Sequence, residues 1–174
     1  MINYANLTKT LSSALPPWLH LIVCRERVVT EVLTHQFQKY SPQTIVRLLH
    51  GSRCTTKQSL LGELARELGF PSYFGHNWDA LDECLADLQD WMPATAYILL
   101  FLEADELLAD SREDFKTLLD ILNTAALGWA SRRPSVPFHT VLQCHPDEKD
   151  RMLSRMRGAG VIFSLWDCTE GRMQ

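Results

Sequence analysis

The chain has 174 residues, of which 46% are hydrophobic, so it is long enough to fold as one domain around a sizeable core. Its formal net charge of -4 at pH 7 argues against a nucleic-acid ligand. The longest apolar run, residues 96–102, is too short to cross a bilayer, and the N-terminus lacks the basic and apolar regions of a signal peptide. We therefore expect a cytoplasmic protein, with residues 1–174 forming a single domain and no membrane partner.

Strands and helices are predicted to alternate along the chain. After a short helix that carries Leu7, Leu11 and Leu15, the apolar patterns predict strands at 18–24, 44–49, 97–102, 138–144 and 161–166. They predict helices at 25–40, 55–68, 77–91, 111–130 and 146–158. Such alternation is typical of an α/β fold, with a mostly parallel sheet of about five strands and helices on both faces. The wholly apolar strand at 97–102 is expected at the centre of the sheet.

Several helix ends carry recognisable signals. Gly69, followed by Pro71, is typical of a helix stop. Asn77 and Ser111 are suited to cap the helices that follow them, and Thr55 with Gln58 fits a capping box.

Neither a metal site nor a cofactor site is expected. The five cysteines are odd in number and lack CxxC spacing, which favours buried free thiols. His139, Cys144 and His145 lack a second pair of ligands, so we expect them to be structural. The chain has no GxSxG, glycine-rich phosphate loop or HExxH motif, and we do not expect an enzyme.

Residues 78–90 are predicted to form a helix with one apolar and one acidic stripe. The acidic stripe consists of Asp79, Asp82, Glu83, Asp87 and Asp90. No Lys or Arg occurs between Arg66 and Arg112, while ten of the 21 acidic residues do. Such a surface would attract a cationic partner and repel nucleic acid, although a merely solvated helix face remains an alternative.

The segment PSYFGHNWDALDECL, residues 71–85, resembles the signature of the barstar family, which comprises intracellular inhibitors of barnase-type ribonucleases. The resemblance covers roughly residues 44–130 and leaves 1–43 and 131–174 as extensions, which we expect to extend the sheet. In the family, this loop and helix plug the nuclease active site. The type member also has a glutamate late in the following helix, which aligns near Thr124 and has no counterpart here.

The resemblance and the acidic stripe together define a set of predicted partner-binding residues. By position, the family implies Tyr73, Gly75, Asn77, Asp79 and Glu83; the stripe adds Asp82 and Asp87, and His76 is expected to tune partner choice from an exposed loop.

The leading hypothesis is a bacterial immunity protein that inhibits a cognate basic ribonuclease or toxin domain in a 1:1 complex. The alternative is a noncatalytic interaction or regulatory module for a different basic protein. A third hypothesis is an enzyme that uses His76 and Asp79 for acid-base chemistry.

Overall fold

A computed structural model describes residues 4–168 of the chain. These residues form a five-stranded sheet in which every pair of neighbouring strands is parallel. The strands are β1 (Leu19–Val23), β2 (Thr44–His50), β3 (Ala96–Leu102), β4 (Phe138–Cys144) and β5 (Phe163–Asp167). Their order in the sheet is β2-β3-β4-β1-β5, so the predicted α/β fold is confirmed.

Helices cover both faces of the sheet, because each parallel connection returns along one face or the other. They are α1 (Tyr4–Leu11), α2 (Glu26–Tyr40), α3 (Lys57–Leu68), α4 (Trp78–Ala86), α5 (Arg112–Ala130) and α6 (Lys149–Ala159). Tyr97, Leu99 and Phe101 of β3 pack in the core under α3 to α6. The alternate residues Ile98, Leu100 and Leu102 pack in a second core with α1 and α2.

Strand β4, and not β3, lies at the centre of the sheet. All seven residues of β3 are buried, as the apolar run predicted, yet β3 is second from one edge. The prediction of a central position was wrong because burial on both faces depends on covering helices, whereas position depends on strand order. The terminal strands β1 and β5 continue the same sheet beyond β4.

Helix α4 ends at Ala86, about five residues earlier than the apolar spacing predicted, and the chain continues as a 3-10 turn at Leu88–Asp90. The carbonyls of Leu85 and Ala86, which a longer helix would use, accept hydrogen bonds from Trp129 Nε1–H and Arg132 Nη2–H instead. The α4 helix therefore stops where one side chain of α5, Trp129, and one from the loop after it, Arg132, replace its own backbone donors.

The other helix ends follow the predicted signals, with one shift of a residue. Gly69 ends α3 in the left-handed conformation, with a φ of 59°. The capping box at the start of α3 is formed by Thr56 and Ser59 rather than by Thr55 and Gln58. The Ser59 hydroxyl accepts a hydrogen bond from the Thr56 backbone N–H at 3.1 Å.

The cysteines are free, and Cys24, Cys54, Cys84 and Cys144 are buried. Burial raises the pKa of the Cys54 thiol to about 12, which keeps it protonated and unreactive at neutral pH. Among residues 4–168, no helix combines the length and apolar character needed to cross a bilayer.

Candidate functional site

The loop between α3 and α4 is anchored by an aromatic side chain and displays another. Phe74 is only 6% exposed, and its ring lies 4.9 Å from the ring of Phe70. Its backbone N–H donates to Pro71 O at 2.9 Å, which closes the turn. Tyr73 is 79% exposed beside it. The loop thus keeps Phe74 in the core and presents the preceding residue, Tyr73, to solvent.

His76 and Asn77 fix the entry into α4. His76 has a φ of 50°, and its Nδ1–H donates to Phe74 O at 3.0 Å. Asn77 Oδ1 accepts from Ala80 N–H at 2.8 Å, which confirms the predicted cap. A Cβ at Gly75 would lie 3.1 Å from Asn77 Nδ2, so a larger residue would press on that cap.

Helix α4 carries its acidic residues on the exposed side, while Leu81, Cys84 and Leu85 are buried. No basic residue occurs in its last turn, and Glu83 and Asp87 stand at the end where the helix dipole disfavours anions. Each misplaced charge costs about 0.3 to 1 kcal/mol. Burial raises the pKa of the Cys84 thiol, and the negative charges of Asp87 and Glu83 raise it further.

A groove of about 320 Å³ lies between α4 and α5. Asp79 and Asp82 contribute carboxylates from α4, and Asp120 contributes one from α5. Trp78, Ile121, Thr117 and Thr124 complete its lining. The groove therefore combines apolar walls with carboxylates from two helices.

Asp120 is the groove residue that sequence analysis missed. It lies about forty positions beyond Asp79 in the chain, on a helix that the acidic stripe did not include. The available signal was its position one helical turn before Thr124, where the family's late-helix glutamate would align. Asp120 thus supplies a carboxylate to the α5 side of the groove, one helical turn before Thr124.

Two basic side chains border the acidic helix. Lys57 Nζ of α3 lies 4.9 Å from the centre of the Trp78 ring. Arg132 stacks 3.4 Å over Trp129 and reaches the end of α4. The acidic region is therefore bounded by cations from other parts of the chain, which the distribution of charge along the sequence did not reveal.

The eight predicted partner-binding residues fall into three places on one continuous loop-helix unit. Asp79 and Asp82 meet in the groove. Glu83 and Asp87 are exposed further along α4 and do not line it. The remaining residues, Tyr73, Gly75, His76 and Asn77, lie in the exposed loop. Of the acid-base pair in the enzyme hypothesis, Asp79 lines the groove and His76 does not.

The profile of the family described as "Barstar (barnase inhibitor)" matches residues 44–143. The chain belongs to the barstar family. The match confirms the resemblance of residues 71–85 and contains the whole loop-helix unit and groove. It begins with β2 and ends within β4, so the barstar segment supplies three adjacent strands of the sheet. No curated protein matches the chain in sequence.

Solved structures of origin recognition proteins match this barstar-family chain along nearly its whole length. Drosophila ORC bound to AT-rich DNA and Cdc6 has a TM-score of 0.60 at 12% identity, covering 95% of this chain and 52% of that chain. The ADP form of Aeropyrum pernix ORC2 has a TM-score of 0.61 at 16% identity, covering 94% and 45%. The chain spans about half the length of these proteins. At such identities, the likeness shows a shared fold.

The prediction of a ribonuclease inhibitor or immunity protein is wrong. It depended on the central barstar segment, whereas the structures that match 92–95% of the chain are ORC proteins. Those matches extend well beyond residues 44–143, the part of the chain that the barstar profile matches. The predicted ribonuclease or toxin partner and the exclusion of nucleic acid are also wrong, since two of these structures are described as bound to DNA.

Proposed function

We propose that the chain is a noncatalytic docking module that joins a larger assembly by binding a basic protein surface. The binding region is the acidic loop-helix surface, which we define as Tyr73, Asp79, Asp82, Glu83, Asp87 and the α4–α5 groove. The observation that carries this proposal is the groove itself, in which Asp79 and Asp82 face a cavity shared with Asp120.

A cationic side chain has the chemistry that fits the groove. A guanidinium group forms paired, charge-assisted hydrogen bonds with carboxylates, and the groove offers those of Asp79 and Asp82, next to Asp120, which pairs with Lys116. Its apolar lining includes Trp78, an aromatic ring of the kind that attracts cations. Lys57 already occupies such a position at 4.9 Å from that ring. An arginine from a partner would find both an anion and an aromatic surface.

Tyr73 provides the apolar part of the surface. It is 79% exposed, yet the loop that carries it is held in place by buried Phe74. Rigidly presented tyrosines are frequent anchors of protein interfaces, because they bury a large area with little loss of side-chain freedom. Tyr73 is therefore the residue expected to lose the most exposed area on binding.

The placement of acids on α4 supports a binding role over simple solubility. Glu83 and Asp87 reduce the stability of the helix at its C-terminal end, where basic residues would stabilise it. If the surface served only solubility, Lys or Arg at these positions would keep it charged and make the helix more stable. Local choices that oppose stability are common at functional sites.

The described complexes of the ORC proteins support a protein partner within a DNA-bound assembly. Drosophila ORC is described as bound to both DNA and Cdc6. A DNA-bound protein carries the basic surface that an acidic module recognises. We infer that the partner is a basic protein of this type.

The connection between β1 and α2 has no room for a phosphate-binding loop. A strand followed by a glycine-rich loop and a helix is the usual arrangement for holding nucleotide phosphates. Here β1 is joined to α2 by Cys24 and Arg25 alone. So short a connection leaves no room for a loop of the GxxxxGK[ST] type.

The test is partner capture from a nuclease-treated lysate of the source cells. The baits are the wild-type protein, Asp82→Asn/Asp120→Asn, and Glu106→Gln/Asp150→Asn as a control with the same change of charge at other exposed positions. We expect basic proteins on the wild-type and control baits and their loss from the groove variant. Recovery of the same proteins on all three would overturn the proposal. Duplex DNA is titrated in parallel, to identify any separate DNA-binding surface.

A further inference from the structure

A second cavity lies between the first turns of α5 and the second half of α6. Its volume is about 440 Å³, and Arg112, Phe115, Lys116, Ser154, Arg155 and Gly158 lie along it. It shares no lining residue with the α4–α5 groove. We call it the α5–α6 cleft.

The cleft stays open because α6 presents small residues to it. Ser154 and Gly158 are separated by one helical turn, which places them on the same side of α6. A Cβ built at Gly158 meets no atom within 4 Å. The space beside Gly158 is thus large enough for a side chain that the protein does not place there.

Arg155 and Phe115 form a rigid wall of the cleft. The Arg155 guanidinium lies 3.9 Å over the Phe115 ring and donates to the carbonyls of Leu107 and Ala104. Burial, with a smaller effect from the charge of Arg151, lowers the pKa of Arg155 to about 10, so it remains charged at neutral pH. The wall therefore combines an aromatic ring that is 2% exposed with a fixed positive charge.

The rim adds further positive charge. Within residues 4–168, Arg112 forms no ion pair, whereas Lys116 pairs with Asp120 at 2.5 Å. Glu113 is the single acidic residue that lines the cleft, against three basic ones. Arg112 begins α5, a 19-residue helix whose first turn also carries Glu113 and Asp114. The cleft is thus a positively charged site on a chain of net charge -4.

We propose that the α5–α6 cleft binds a small organic anion, with a phosphate or carboxylate group at Arg112 and an apolar body against Phe115 and Gly158. Its volume falls within the range of about 300 to 1,000 Å³ that is usual for small-molecule sites. Such sites pair mostly apolar walls with a few charged groups that orient the ligand, and this cleft has that composition. The proposal does not rest on the docking function proposed for the acidic loop-helix surface, although Lys116 of the cleft pairs with Asp120 of the groove.

The experiment is an NMR titration of the full chain with phenyl phosphate, benzoate, phenol and inorganic phosphate. We expect phenyl phosphate or benzoate to shift the backbone amide signals of Arg112, Ser154 and Gly158. Phenol lacks the anion, and inorganic phosphate lacks the apolar body. Each is therefore expected to have a Kd about tenfold higher than that of the organic anions. The tighter of the two organic anions identifies the preferred acidic group.

Two variants locate the binding in the cleft. Gly158→Leu fills the open space, and Arg112→Gln removes the unpaired charge; each is expected to raise Kd about tenfold. Arg157→Gln makes the same charge change on an exposed α6 residue that does not line the cleft, and should leave Kd unchanged. Should Gly158→Leu fail to fold, the exposed Arg112→Gln decides. Equal affinities for wild type and Arg112→Gln, or phenol binding as tightly as phenyl phosphate, would overturn the proposal.

Discussion

His20 and His139 hydrogen-bond each other between adjacent parallel strands, with 2.8 Å between His20 Nε2 and His139 Nδ1. His139 Nε2–H donates to Ser13 O at 2.7 Å. A carbonyl only accepts, so in the neutral pair His139 Nδ1 accepts from His20 Nε2–H. His20 Nδ1 then accepts from Ser164 at 2.6 Å, and Ser164 accepts from Trp166 Nε1–H at 2.8 Å. The chain of bonds links the segment after α1 to three strands.

This histidine pair is expected to make the fold sensitive to acid. Burial, and then the charge of His139, lower the pKa of His20 from 6.5 to about 3, and burial also lowers the pKa of His139. The folded state therefore binds fewer protons than the unfolded state below pH 6.5. For His20, the stabilisation is complete above pH 6.5 and is lost as pH falls toward 3, by about 1.4 kcal/mol per pH unit; the lowered pKa of His139 adds a loss in the same direction.

The measurement is the free energy of unfolding in urea between pH 7 and 4, in steps of about half a unit. We expect His139→Gln to reduce the slope with pH, since one of the two buried histidines is gone. His35→Gln changes an exposed histidine on α2 and should retain the wild-type slope. Identical slopes for all three proteins would contradict the prediction.

Asn77→Ala is expected to destabilise the protein by about 1 kcal/mol, because Ala80 N–H loses its side-chain acceptor. Asn77→Asp keeps an oxygen at that position and should remain close to wild type. Urea unfolding measures both. If Asn77→Asp lost as much stability as Asn77→Ala, the hydrogen bond from Asn77 Nδ2 to Gly75 O at 3.3 Å would matter more than the capping bond to Ala80 N–H.

Trp129→Phe is expected to cost about 2 kcal/mol, because the buried Leu85 carbonyl loses its donor at 2.9 Å. The effect should be local to the end of α4, where Arg132 provides the neighbouring contact to Ala86 O. Hydrogen exchange of the α4 amides is expected to become faster in Trp129→Phe and in Arg132→Gln. Arg133→Gln, in the same exposed loop, should leave exchange unchanged; a uniform increase in all three would argue against this local anchor.

Gly51→Ala and Gly62→Ala are expected to change stability in opposite directions. A Cβ at Gly51 would lie 2.0 Å from the backbone oxygen of Glu103, so the ends of β2 and β3 would have to separate. Gly62 lies within α3, and a Cβ there meets nothing within 4 Å. Thermal unfolding should show a lower free energy of unfolding for Gly51→Ala and a free energy of unfolding higher by about 0.5 to 1 kcal/mol for Gly62→Ala. A gain at both positions would exclude the close approach.

Much of the fold could be predicted because local patterns determine where elements begin and end. The predicted strand at 138–144 coincides with β4, and the predicted helix after Ser111 ends at Ala130, as α5 does. Strand order could not be predicted, because it depends on which crossover connections pack together. The early end of α4 was missed for a related reason: Trp129 lies 44 residues from the carbonyl that it binds.

The loop-helix unit was predictable because it is continuous in sequence, whereas the groove and the histidine pair are not. Asp79 and Asp82 stood out as part of one acidic stripe, but Asp120 joins them only through the packing of α5 on α4. His20 and His139 lie 119 positions apart. His20 is the single polar residue of β1, and His139 lies in β4 beside Thr140; a histidine within a buried strand was the signal in the sequence that each needed a partner.

The order of the strands gives the terminal segments a protective role against aggregation. Residues 44–143 contain β2, β3 and all but the last residue of β4, which lie side by side, and β1 covers the other side of β4. All seven residues of β4 are buried. A fragment limited to 44–143 would turn this buried strand into a bare edge, open to pairing with another molecule. In the full chain, the outer edge on this side is β5, which is shorter, less buried and ends in Asp167.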